Sequence, residues 1–125
     1  MSGPGESDSV PFDGTVLQQA AALGSVGPNR LPELLGRVDV SLRGKREAIS
    51  RQFERVHSDE SRELFLVPDD YWAELGAKLG LAEREWQAVR RGHESQLLRV
   101  GSQLDRREEF ESALEIRSAV VLGRD

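Results

Sequence analysis

The chain contains no cysteine, which excludes a disulfide framework, a thiolate metal site and a cysteine nucleophile together. Lysine is almost absent too: it occurs only at 45 and 78, and the other fifteen cations are arginine, a balance that points to a GC-rich source rather than to a mechanism. Aromatic residues are only 6% of the sequence, too few for a thick sheet sandwich. The longest unbroken apolar run is four residues, against the roughly 20 needed to span a bilayer. The polar, Gly-, Ser- and Pro-rich opening from Met1 to Asp13 has neither the basic nor the apolar part of a signal peptide. These absences together predict a cytoplasmic protein with no membrane association.

What is present fits one domain. The 125 residues can bury one core, and 38% apolar with 31% charged residues is the composition of amphipathic helices. Residues 1–12 read as a disordered tail and 13–125 as a single α-helical domain. Asp13 caps a first helix carrying Val16, Leu17, Ala20, Ala21 and Leu23, stopped by Gly24, Ser25, Gly27 and Pro28. Asn29 caps a second, whose apolar stripe Leu31, Leu35, Val38, Leu42, Ile49, Phe53 and Val56 steps by three, four or seven. Leu64–Val67 fits either a short extended segment or part of the next helix, and Pro68 ends it. Asp69 and Asp70 begin a helix with the face Tyr71, Trp72, Leu75 and Leu79, which Gly80 closes.

From Ala82 to Leu122 the pattern is one long helix or two collinear ones. The first stripe is Trp86, Val89, Leu97, Val100 and Leu104; the second is Phe110, Leu114 and Val121. Asp105 with Glu108 has the spacing of a capping box, so a new helix starts there or a continuous one stutters. The expected fold class is therefore all-α: a bundle of four to five helices with long antiparallel members.

The runs Arg51–His57, Glu63–Val67 and Glu109–Arg117 resemble those of small uncharacterised proteins of halophilic archaea, over most of the chain after residue 10. The resemblance implies a high-salt cytoplasm and brings no activity with it. A net charge of −5 is modest for such a setting, which directs attention to a partner or a basic face.

Chemistry-bearing patterns are few. Glu54 and His57 have the Glu-x-x-His spacing of di-iron bundles, but the motif occurs once and such a site needs it twice. Gly24-Ser25-Val26-Gly27 lacks the lysine of a phosphate loop, and no serine sits in a Gly-x-Ser-x-Gly context. No catalytic residue, metal ligand or cofactor is expected, and the chain is not read as an enzyme.

Two functions remain. Helices of about 25 to 40 residues would be roughly 40 to 60 Å long, more than one small core covers, so their stripes would need a partner. The first expectation is thus an interaction or oligomerisation module, a homodimer or the mate of a helical protein, using Leu42, Ile49, Phe53, Val100, Leu104, Phe110 and Leu114. The alternative is a helix-turn-helix regulator built on Leu75, Gly76, Gly80, Leu81, Trp86 and Val89, with Arg84, Gln87, Arg90 and Arg91 on DNA.

Overall fold

The computed structural model describes residues 11–17, 26–27 and 30–124. Residues 14–17 are helical. The chain then runs α1 (Arg30–Gly44), α2 (Arg46–Gln52), β1 (Glu54–Ser58), β2 (Arg62–Pro68), α3 (Tyr71–Leu79), α4 (Glu83–Gln103), α5 (Arg107–Ala113) and β3 (Arg117–Gly123). The strands form one antiparallel sheet in the order β1-β2-β3. The all-α bundle is thereby overturned: the domain is mixed α/β, and neither long helix exists at its expected length. Residues 1–10, the expected cap Asn29, the stop at Gly24, Ser25 and Pro28, and Ala20, Ala21 and Leu23 lie outside the described residues.

The corrections have local causes. The stripe after Leu31 does form α1, burying Leu31, Leu34, Leu35, Val38 and Leu42 on one face. Each such side chain stabilises the fold by about 1.5–3 kcal/mol. The helix stops at Gly44, where Lys45 adopts φ −110 and ψ 15, and α2 stops at Phe53, which is fully extended at φ −124 and ψ 160. Val56, although in phase with Ile49 and Phe53, therefore lies in a strand. Its register shift between Arg55 and His57 is a bulge. Leu64–Val67 resolves as strand: β2 is central, and residues 63–67 are buried without alternation. Asp59 turns the hairpin, its Oδ1 accepting the N–H groups of Ser61 at 2.8 Å and Arg62 at 3.0 Å.

At the other end, the helix predicted through residue 122 closes at Leu104. Asp105 is in the left-handed region at φ 60, and Arg106 N–H donates to the Gly101 carbonyl at 2.7 Å. Asp105 is thus the residue that ends α4 in a Schellman turn, not the cap of the next helix. The apolar run Ala119–Leu122 then pairs with β2, Val120 opposite Phe65.

α4 lies along β3, with α1 packed against both. One core joins them, its largest buried side chains including Trp72, Phe65 and Phe110. Phe12, assigned to the tail by the sequence reading, meets the His93 ring edge-on at 4.8 Å between centroids. Asp13 holds the neighbouring backbone in place. Its N–H donates to Gln96 Oε1 at 2.8 Å, and its carboxylate accepts from Gln96 Nε2, Arg99 Nε and Arg62 Nη2. Burial alone would raise this carboxyl, but those hydrogen bonds outweigh it and hold the group below its ordinary value.

Candidate functional site

Of the residues expected to reach DNA, only Arg84 stands exposed without a side-chain hydrogen bond or ion pair among the described residues. It lies on the first turn of α4 beside Glu85, whose carboxyl is lowered by the Ala82 N–H and Arg30 and also by the charge of Arg84. Gln87 donates to Glu83 Oε2 at 3.1 Å. Arg90 is fixed between two carboxylates, Nη2 to Asp69 Oδ1 at 2.6 Å and Nε to Glu94 Oε2 at 2.8 Å. Arg91 is half-buried, its Nε enclosed without a hydrogen bond. The α3–turn–α4 hairpin itself forms as the spacing predicts. Gly80 closes α3 at φ 72, and Gly76 lies so close to the Trp86 side chain that a Cβ there would fall 2.4 Å from Trp86 Cδ1. A glycine in the first helix is what admits a tryptophan in the second.

The residues expected at a partner interface divide into two groups. Leu42, Val100 and Phe110 are buried in the chain's own core. Leu114 is half-buried against it, and Leu104 in the α4–α5 turn is 40% exposed. Ile49 is buried in the same core and Phe53 is half-buried against it, but both also line a surface feature: together with Ala48, Tyr71 and Leu75 they form the apolar part of a groove of about 150 Å³ between α2 and α3. Its rings are ordered, Phe53 and Tyr71 standing edge to face at 5.5 Å. Burial pushes the Tyr71 hydroxyl above its ordinary pKa, so the ring carries no charge at neutral pH.

The polar part of that groove is Lys45, Gln52, Glu74 and Lys78. It thus holds both lysines of the sequence, and among the described residues neither makes a side-chain hydrogen bond or an ion pair. The arginines behave differently. Arg37, Arg84 and Arg91 excepted, each has a carboxylate oxygen within 3.8 Å. Glu63, largely buried in β2, alone faces Arg46, Arg55 and Arg124. Most of the cationic surface is therefore neutralised internally, whereas the α2–α3 groove keeps its charge. Lysine scarcity was visible in the sequence, but only the fold shows that positions 45 and 78 share one groove.

A larger groove of about 470 Å³ runs between Thr15 and Val16 on one side and Ser95, Leu98, Arg99, Ser102, Gln103 and Arg107 on the other. Its two guanidinium groups are already committed, Arg99 to Asp13 and Arg107 to Glu111. Glu54 and His57 sit on β1, so a helix-face spacing does not apply to them, and His57 Nε2 lies 2.9 Å from Asp59 Oδ2. Among the described residues no cluster of three His, Asp or Glu side chains is gathered to hold a metal ion. Nor, among them, is any helix long and apolar enough to cross a membrane.

No curated protein and no solved structure matches the chain. A family model described as Domain of unknown function (DUF8048) matches residues 10–124, and the chain belongs to that family.

Proposed function

We propose that this domain is a protein-interaction module without catalytic activity, and that it engages its partner through the α2–α3 groove. The observation that carries the reading is the pair of lysines without an ion pair beside an aromatic-lined recess, on a surface where twelve of the fifteen arginines face carboxylates. Size supports it as well. At about 150 Å³ the recess falls below the roughly 300–1,000 Å³ of small-molecule sites, and suits a side chain of another protein. Light scattering on the complex isolated from its source at high ionic strength tests the reading. It predicts an assembly heavier than the 13.9 kDa chain, and a lone monomer throughout would refute it.

The DNA-binding alternative draws support from the α3–α4 hairpin and from the exposure of Arg84. The ion pairs that hold Arg90 weigh against it, because phosphate contact would require Arg90 to leave both Asp69 and Glu94. A mobility shift that weakens with salt and on Arg84→Ala would restore it.

The resemblance to proteins of halophilic archaea, the preference for arginine and the lack of cysteine support a reducing, high-salt cytoplasm as the setting. An unfolding midpoint that rises from dilute to molar KCl is the expected outcome, and one that falls contradicts it.

A further inference from the structure

We infer that the partner segment presents one large apolar side chain next to a carboxylate, the first entering the recess between α2 and α3 and the second meeting Lys45 and Lys78. This rests on the interaction reading above and specifies the chemistry of what binds. The recess has room for one anchor rather than for a helix face. Its walls are Ile49 and Leu75, both buried, and the half-buried rings of Phe53 and Tyr71, whose edge-to-face contact fixes their orientation. Rigid apolar walls around a single pocket are how a few anchor residues come to dominate an interface.

The charge in the groove selects the anchor's neighbour. Two ammonium groups against the single carboxylate of Glu74 leave the groove cationic, in a chain whose net charge is −5. Local and overall signs are opposed, so in this groove an acidic segment meets attraction rather than repulsion. Lysine suits this role, since its ammonium on a flexible stem reaches a carboxylate without the fixed fork geometry of arginine. Such pairs at the edge of an interface act more on encounter rate and choice of partner than on raw affinity.

The test is a titration of the full chain, followed by its backbone amide NMR signals, with three synthetic peptides. One carries a central phenylalanine flanked by glutamates; in the second lysines replace the glutamates; in the third alanine replaces the phenylalanine. The first should shift Ile49, Gln52, Tyr71 and Leu75, and the other two should bind at least about tenfold more weakly, the equivalent of about 1.4 kcal/mol. The surface variant Lys45→Glu with Lys78→Glu should keep the spectrum of the core and lose the first peptide by a similar factor. Absent shifts, shifts mapping elsewhere, equal binding of the lysine peptide, or undiminished binding by the double variant would each overturn the inference. Concentration-dependent shifts of the same signals in the free protein would assign the groove to a second copy and overturn it too. If light scattering shows an assembly while the peptides fail, the interaction reading stands and only this partner chemistry falls.

Discussion

His93 Nδ1 accepts a hydrogen bond from the Val121 N–H at 2.9 Å, so a side chain from α4 caps the free edge of β3. Trp72 Nε1 donates to the Ala119 carbonyl at 3.1 Å on the same edge, and Arg46 Nη2 donates to the Gly123 carbonyl. Backbone groups that β2 cannot reach are thereby satisfied by side chains from three helices, α2, α3 and α4. An edge sealed in this way offers no template for another strand.

The seal is sensitive to acid. His93 is fully enclosed between the Phe12 and Trp72 rings, and burial lowers its pKa from 6.5 to about 3. Between those values the unfolded chain binds a proton that the folded chain refuses. The stabilising effect is complete above 6.5 and is lost as pH falls toward 3, at about 1.4 kcal/mol per pH unit. Urea unfolding across that range should show this slope. His93→Leu should flatten it, and should cost about 1–3 kcal/mol at neutral pH by leaving the Val121 N–H buried and unpaired.

Two glycines in helices should answer oppositely to the same change. At Gly76 an added Cβ would lie 2.4, 2.6 and 2.8 Å from Cδ1, Cγ and Cβ of Trp86, and the near end of that side chain cannot swing aside. Gly76→Ala should therefore destabilise by about 1–3 kcal/mol. At Gly36 nothing lies within 4 Å, so Gly36→Ala should stabilise α1 by about 0.5–1 kcal/mol. Urea midpoints of the two variants moving in the same direction would contradict the packing described.

Asp105 occupies a backbone conformation that glycine adopts without strain. Its backbone ends α4 while its side chain is exposed. Asp105→Gly should raise the thermal midpoint, with a gain of about 0.5–1 kcal/mol, and Asp105→Val should lower it. A capping-box role for Asp105 predicts a loss in both variants.

The helices that close within themselves were legible in the sequence. The stripe Leu31 to Leu42, the Asp70 start and the Gly80 stop all depend on residues within a few positions of one another. The sheet was legible only at Leu64–Val67, which reads as extended or helical; β1 pairs locally with it but continues a helical stripe through Val56, and β3 is defined by a distant partner. Arg117 pairs with Pro68 and Gly123 with Arg62, about fifty to sixty residues away, and Val56 and Val121 happen to continue helical spacing. The signal that was there is the unbroken run Ala119–Leu122, which matches Leu64–Val67 in length and apolar character and is buried in the same way. The groove was half legible. Ile49 and Phe53 were singled out as interface residues, but bringing them beside Tyr71 and both lysines takes the turn at Phe53 and the return of the chain through α3.

The scarcity of lysine allows a direct test of the docking groove. Within these 125 residues an amine-reactive cross-linker finds lysine side chains only at 45 and 78, so links mapped to either report on the α2–α3 groove. Cross-linking in extract of the source organism, with peptide mapping by mass spectrometry, should join Lys45 or Lys78 to one recurrent acidic partner, and competition with the glutamate–phenylalanine peptide should suppress the product. If both lysines yield only unlinked, singly modified products, or if links persist unchanged under competition, the groove is not the docking surface.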